Sequence, residues 1–194
     1  MADIATPINP AIATSGQLQD ALYAFVLAYG IPAMDGANIY HANQNRMSLP
    51  DGLEEYATIY IMSPVRHGTA VEKLIPGEGE AADRLSITSL FEYLVQIDFF
   101  SEDTRARQRA MTVANVGRSS IGPQFFRQYG VSLLYVDDPR DMAFVGDAQQ
   151  YVQRWMLTLR VTMPEITTVE FPGFEEAEIS RLENVDVHHP PTEE

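Results

Sequence analysis

Apolar and polar residues alternate along several segments of the chain, which predicts a sheet of strands that each bury one face. The clearest alternation covers residues 91–99, and the same period of two runs through residues 55–65 and 150–163. A short apolar run over residues 131–136 ends at an Asp-Asp-Pro turn and predicts one more strand. These segments together predict the main sheet of the protein.

A period of three to four residues predicts helices at other places. The first helix is predicted from Thr14, which forms a capping box with Gln17, to Gly30. A second helix is predicted to follow Ser101 as its N-cap, and a short third helix covers residues 123–129. The second helix has a stripe of small apolar residues that would pack closely on the sheet. This stripe consists of Ala106, Ala110, Val113 and Ala114.

The remaining segments lack a core-forming pattern. Residues 66–84 combine glycines, a proline and acidic residues, so a long inserted loop is predicted there. Residues 1–13 read as an N-terminal arm and residues 164–194 as an acidic C-terminal extension of the domain at residues 14–163. The predicted fold class is α+β: a single sheet of mainly antiparallel strands packed by two main helices, with a long inserted loop and extended arms at both termini.

Composition excludes several classes of function. The chain of 194 residues has 27 acidic and 13 basic residues, a net charge of −14. This argues against a nucleic-acid-binding module, because such binding depends on cationic side chains that displace counterions from phosphates. The absence of cysteine excludes disulfides, a thiolate nucleophile and cysteine-based metal sites. No segment is apolar for long enough to span a bilayer, so we expect no membrane partner and synthesis in a cytoplasm.

No catalytic constellation stands out in the sequence. The four histidines show no metal-ligand spacing; they are His41, His67, His188 and His189. Asp137, Asp138 and Asp141 could form an acid–base pair or a magnesium site, and a small metal-dependent hydrolase is the alternative that they keep open. An aspartate before a proline is also ordinary turn chemistry. The sequence therefore predicts no enzyme and no cofactor, and it favours assembly over catalysis.

Residues with several hydrogen-bonding groups form a candidate assembly interface. They lie in a polar run before a Pro-Asp-Gly turn, at two positions four apart on the second helix, and on the polar side of the last predicted strand. They are Asn43, Asn45, Arg46, Arg105, Arg109, Arg154 and Arg160. The alternative for the polar run is a turn that satisfies its own backbone groups, and for the helical pair it is a solvated surface.

Five sequence motifs resemble those of a known family. Asn-Gln-Asn-Arg at residues 43–46 precedes Leu-Pro-Asp-Gly at 49–52, and Phe-Glu-Tyr-Leu-Val-Gln-Ile-Asp-Phe-Phe begins at Phe91. The most specific part has Leu-Tyr-Val-Asp-Asp-Pro-Arg from Leu134 and Gln-Gln-Tyr-Val-Gln-Arg-Trp from Gln149. The chain resembles the tail-terminator or neck-terminator proteins of tailed bacteriophages, from its first helix to about residue 163.

This resemblance implies a structural protein of the virion neck that assembles in the host cytoplasm. It implies a ring of identical subunits, expected to be a hexamer, that caps the tail tube, ends tail growth and offers a docking surface to the head connector. The expected partners are the protein itself, the tail tube protein, the sheath protein if the tail contracts, and a connector or adaptor protein. A connector adaptor and a tube or sheath initiator remain alternatives within the same virion.

In such a ring, the acidic composition could also affect the passage of DNA. Six copies at −14 carry −84, and acidic residues on the channel could keep the viral DNA mobile as it passes without specific binding. Residues 165–194 alone hold nine acidic residues and one arginine, so a partner ring could face this part of the charge instead. We expect residues 66–84 and the C-terminal extension to become ordered only in the assembly.

Overall fold

A computed structural model describes residues 13–31, 38–42, 55–77, 83–145 and 151–170. Three α-helices are described: α1 (Ala13–Phe25), which continues as a π-helical turn (Val26–Gly30), α2 (Arg105–Arg118) and α3 (Ile121–Arg127). The strands are β1 (Ile39–His41), β2 (Tyr56–Ile61), β3 (Val65–Ile75), β4 (Arg84–Ser101), β5 (Ser132–Val136), β6 (Arg140–Asp141), β7 (Phe144–Val145) and β8 (Tyr151–Glu170).

The strands form a mixed sheet with the order β1-β2-β4-β8-β5. β1 and β2 are parallel, whereas the other neighbours are antiparallel. The two longest strands, β4 and β8, pair without interruption from Arg84 opposite Glu170 to Ser101 opposite Gln153. The predicted α+β class with a mainly antiparallel sheet is therefore confirmed.

The helices α1 and α2 pack on one face of this sheet. The core on that face contains every second residue of β4 and β8, as the alternation predicted: Tyr93, Val95, Ile97, Phe99, Leu157, Leu159, Val161 and Met163 are all buried. The predicted stripe of α2 is confirmed, since Ala106, Ala110, Val113 and Ala114 are at most 1% exposed. Their short side chains let the helix axis approach the sheet closely.

The start of α2 differs from the sequence-based prediction. Ser101 is the last residue of β4 and not the N-cap, and the helix begins at Arg105. The Ser101 hydroxyl still serves the first turn, because it accepts a hydrogen bond from the Ala106 amide at 2.9 Å. The Asp103 carboxylate accepts the Arg105 amide at 2.9 Å. The side chain of Arg105 also bonds this carboxylate and lowers the pKa of Asp103.

The predicted loop over residues 66–84 is wrong for most of its length. Val65–Ile75 is a strand that pairs with β4, and Arg84 already belongs to β4. A bulge between His67 and Val71 interrupts the ladder, and Gly68 adopts a φ of +72° that favours glycine. β8 likewise runs through Glu170, so the predicted C-terminal extension begins as a strand. The sequence hides both features because these segments bury neither face.

We call the projecting part of the sheet the arm: β3 together with residues 84–92 of β4 and 164–170 of β8. None of these residues is buried, whereas Tyr93 and Met163 at the base of the arm belong to the core. Eight residue steps separate Glu92 from Arg84, so the arm is about 26 Å long at the usual rise of a strand. The arm carries the chain away from the helical layer.

Pro164 explains why β5 accompanies β8 only as far as Thr162. The carbonyls of Arg154 and Thr158 accept hydrogen bonds from the outer neighbours of β8, from Met142 at 2.8 Å and Asp137 at 2.9 Å. Alternate residues of a strand direct their backbone N–H and C=O groups to the same edge. Pro164 is an even number of residues from Arg154 and Thr158, so its nitrogen points to the edge of β8 that pairs with β5 and β6. Because proline has no N–H, this edge loses a donor immediately beyond the last β5 pair.

Candidate assembly surfaces

Two of the predicted interface arginines hold a buried carboxylate of their own chain. Glu55, directly before β2, is 2% exposed, and its Oε1 accepts a hydrogen bond from Arg109 Nε at 2.6 Å. Arg109 Nη2 donates to Oε2 at 3.4 Å, and Arg105 Nη1 lies 3.7 Å from the same oxygen. These contacts fix α2 against the start of β2. Asn43, Asn45 and Arg46, in the segment that precedes it, lie outside the described residues.

Arg154 holds a second buried carboxylate, on the sheet face opposite the helices. Its Nε and Nη2 donate to the two oxygens of Asp98 at 3.1 and 3.0 Å. Gln96 donates a further bond to Asp98 at 2.7 Å. The Arg154 guanidinium also lies 5.6 Å from the centre of the Phe100 ring, which stacks on Tyr56. Arg154 therefore stabilises its own sheet, and its role in an interface stays a prediction.

The fourth arginine marks the base of the arm. Arg160 Nη1 donates to Glu92 Oε1 at 3.2 Å, and His67 Nε2 lies 2.9 Å from the other oxygen of Glu92. These three residues join β8, β4 and β3 across the strands. Arg160 and His67 are both about half exposed, so the cluster contributes little to stability. It is accessible to a second molecule.

Tyr93 and Glu165 connect the core to the arm on the helical face. The hydroxyl of Tyr93, which is 5% exposed, donates a hydrogen bond to Glu165 Oε1. Burial raises the pKa of Tyr93 far above its ordinary value, and the bond to Glu165 and the charge of that carboxylate raise it further. The phenol therefore stays protonated under neutral conditions. Its hydrogen bond to Glu165 holds the part of β8 at the base of the arm against the core.

We expect Tyr93→Phe to lower the free energy of unfolding by about 1–2 kcal/mol, because the variant loses a hydrogen bond to a charged acceptor. A phenol whose pKa rises on folding stabilises the fold fully below its unfolded pKa, near 10, and less as the pH increases beyond that value. Urea unfolding at pH 7 and above pH 10 should thus show a larger alkaline loss for the wild type than for Tyr93→Phe. Tyr60→Phe, at a half-buried phenol of β2, is the matched control.

Exposed large apolar side chains divide into two groups on different parts of the molecule. One group lies on the arm: Val65, Val71, Leu74, Ile75, Leu90 and Ile166. The other lies on the helices and on the strands along the outer edge of β8: Met111, Ile121, Leu134, Tyr135 and Met142. Two separate exposed apolar groups on one domain are typical of a protein that contacts further subunits. Neither group was predicted from the sequence.

The arm group has a definite face. Val71 pairs with Thr88 of β4, and Thr88 pairs with Ile166 of β8, so their side chains share the sheet face opposite the helices. The register puts Leu90 and Val65 on that same face. We call Val65, Val71, Leu90 and Ile166 the arm surface. Their exposures of 45% to 67% are high for β-branched and leucine side chains.

Two members of the second group, Leu134 and Tyr135, line a groove between α3 and β5. The groove has a volume of about 200 Å³ and is lined by Gly117, Arg118, Pro123, Leu133, Leu134, Tyr135 and Val136. Its floor depends on close packing of α2 and α3, since a Cβ on Gly122 would lie 2.3 Å from the Gly117 carbonyl oxygen. We call Ile121, Leu134, Tyr135 and this groove the edge surface.

Two of the three aspartates that suggested an enzyme, Asp138 and Asp141, have structural roles at the turn after β5. Asp138 Oδ1 accepts a hydrogen bond from Arg118 at 2.6 Å, and Asp141 Oδ1 accepts the Ala143 amide at 3.0 Å. The described residues contain no group of three metal-ligating side chains. Within the same described ranges, no helix has the length and apolar character needed to cross a membrane.

The domain thus presents two apolar surfaces and fixed internal ion pairs, the features of a structural assembly protein. The family model of the phage neck terminator protein matches residues 16–192. The chain belongs to this family and is a structural protein of the phage virion, located in the neck of the tail. The resemblance found in the motifs is confirmed, and the match continues past residue 163 into the acidic extension.

Thirteen chains of solved structures also match. One, described as the virion of native gene transfer agent (GTA) particle, has 16% sequence identity and a TM-score of 0.37, over 83% of this chain and 100% of that chain. The curated proteins gave no match.

Proposed function

We propose that this protein is the ring-forming tail terminator of the neck. Six copies form a ring on the head-proximal end of the completed tail. The ring caps the tail tube, and the sheath if the tail contracts, so that growth ends at a defined length. Its opposite side offers the docking surface for the head connector or adaptor protein. Membership in the neck terminator family supports this role.

The presence of two unlike apolar surfaces carries the proposal. A cyclic ring is built from head-to-tail contacts, in which one patch of a subunit meets a different patch of the next. The arm surface and the edge surface lie on different strands, and they differ in character because the first is a flat sheet face and the second contains a groove. A single self-complementary patch would instead favour a closed dimer.

The internal ion pairs support the same role. Arg109 with Glu55 and Arg154 with Asp98 are pairs in which the carboxylate is almost fully buried. They hold the body of the subunit rigid, and a rigid body sets the angle between neighbours that closes a ring. The viral DNA passes through this ring, and the net charge of −14 on each copy would keep its phosphates from adhering.

Virions produced without this protein provide the test. We expect tails longer than those of the wild type and not attached to heads, because nothing ends the addition of tube subunits. Expression of the wild-type protein from a plasmid should restore the defined length. Normal-length tails that fail to join heads would contradict the terminator role and indicate a connector adaptor instead. Electron micrographs of tail length and head attachment distinguish these results.

A further inference from the structure

The groove of the edge surface combines an apolar lining with positive charge. Leu134 and Tyr135 stand exposed at its rim, and Arg118 forms part of its wall. Arg127 follows Pro123 by one helical turn, so it lies on the face of α3 that borders the groove. The chain has no acidic residue between Asp103 and Asp137, although its net charge is −14. The groove therefore suits an aromatic side chain followed by carboxylates.

The guanidinium groups at the groove remain available to a ligand. Arg118 uses Nε for the Val136 carbonyl, at 3.0 Å, and Nη2 for Asp138, which leaves Nη1 as a donor. Asp138 is 86% exposed, and exposed ion pairs exchange partners at little cost. Arg127 pairs with no carboxylate among the described residues. Arg109, in contrast, is committed to the buried Glu55.

A segment of matching chemistry begins where β8 ends. Residues 171–178 read Phe-Pro-Gly-Phe-Glu-Glu-Ala-Glu, two aromatic residues followed by three carboxylates. The strand delivers this segment to the far end of the arm, because Glu170 pairs with Arg84 at the tip. Leu133 in the groove pairs with Val161, nine residues before Glu170, a separation of about 30 Å along the strand. The point at which the segment leaves the strand is therefore remote from the groove of its own subunit.

We propose that the groove between α3 and β5 binds residues 171–178 of a second copy of this chain. Phe174 occupies the apolar groove, whose volume of about 200 Å³ exceeds the roughly 150 Å³ of an engineered cavity that holds benzene. Glu175 and Glu176 pair with Arg118 and Arg127. The contact follows from the head-to-tail ring proposed above and rests on it. It adds a charged clamp at the point where the arm of one subunit meets the edge surface of the next.

Engineered cysteines test this contact directly, because the chain has none of its own. A disulfide forms only where two Cα atoms approach within about 7 Å. We expect an equal mixture of Leu134→Cys and Phe174→Cys proteins to give a cross-linked dimer under mild oxidation. The double variant should give a ladder of covalent oligomers that ends at the closed ring. Thr112→Cys, exposed on α2, replaces Leu134→Cys in the control and should give no ladder.

Two results would overturn the proposal. One is an internal cross-link in the double variant, which would mean that the segment occupies the groove of its own chain. The other is the absence of any cross-link in samples whose mass, measured by light scattering, is that of a ring. Tails of normal length in particles that lack the protein would instead reject the terminator role, so the two failures are distinguishable.

A charge exchange measures the polar part of the clamp. Arg127→Glu should weaken ring association by about two- to fivefold per contact, the effect of an exposed ion pair. Adding Glu176→Arg alone to this variant should restore association, because Glu175 still meets the unchanged Arg118. Arg66→Glu, a charge reversal at an exposed residue of β3, is the control and should not respond to the same rescue. The pairing of Arg127 with the glutamates would be contradicted if the rescue failed for Arg127→Glu, or if it also restored association of Arg66→Glu.

Discussion

Arg109→Ala is expected to lower the free energy of unfolding by about 3–5 kcal/mol, because it leaves a buried carboxylate without its partner. Glu55 is 2% exposed, and Arg109 supplies the shortest contact to it, at 2.6 Å. Among the described residues, the other cation near Glu55 is Arg105, whose nearest nitrogen is 3.7 Å away. Urea unfolding followed by circular dichroism measures the effect at neutral pH.

Arg105→Ala is the matched control, four residues earlier on the same helix and beside the same carboxylate. Its side chain is 46% exposed, so its removal should have a much smaller effect. The double variant Glu55→Leu/Arg109→Leu should recover much of the stability, because an apolar pair needs no compensation for buried charge. If Arg105→Ala and Arg109→Ala lowered the free energy of unfolding equally, Arg109 would not be the main partner of the Glu55 carboxylate.

Ile166→Asp is expected to abolish ring assembly while the isolated subunit remains folded. Ile166 is 46% exposed in the subunit, so the substitution costs the monomer little. Full burial of an isoleucine contributes about 1.5–3 kcal/mol, and each 1.4 kcal/mol is a factor of ten in affinity. Every contact in the ring should therefore weaken by about tenfold or more, since an aspartate also has to lose its water. Sedimentation velocity measures the assembly.

Thr167→Asp provides a control at the adjacent position. Thr167 pairs with Ile87 and is exposed on the helical face of the arm, whereas Ile166 pairs with Thr88 on the opposite face. The two variants carry the same added charge on the same strand. Assembly that survives Ile166→Asp, or that both variants reduce equally, would reject the arm surface as an interface. Unchanged unfolding curves for both variants would show that the effects concern association.

The elements that bury a face were predictable from the sequence. Residues 91–99 showed the alternation of a half-buried strand, and the structure buries the predicted row of β4. The stripe of α2 was read in the same way, from the spacing of Ala106, Ala110 and Val113. In both cases the period of the apolar residues reports burial, because only a buried face excludes polar side chains.

The arm was missed for the complementary reason. β3 has no buried position, and it includes the charged residues Arg66, Glu72 and Lys73. Its apolar residues therefore show neither the period of a strand nor that of a helix, and the glycines of the segment suggested a loop. The strand forms because it completes the ladder along β4, which is a property of the sheet and not of the segment. The exposed apolar residues of the arm were likewise visible in the sequence, but their common face depends on the register of three strands.

The sequence by itself determined the α+β class, the buried faces of the main helix and strands, and the family, since these depend on local periods and motifs. Only the tertiary structure decided which groups meet. Arg109 and Glu55 are 54 residues apart, and Arg154 and Asp98 are 56 apart, so strand register and helix placement select these partners. The same register turns scattered apolar residues into an arm surface and an edge surface, because neighbours across strands are remote along the chain.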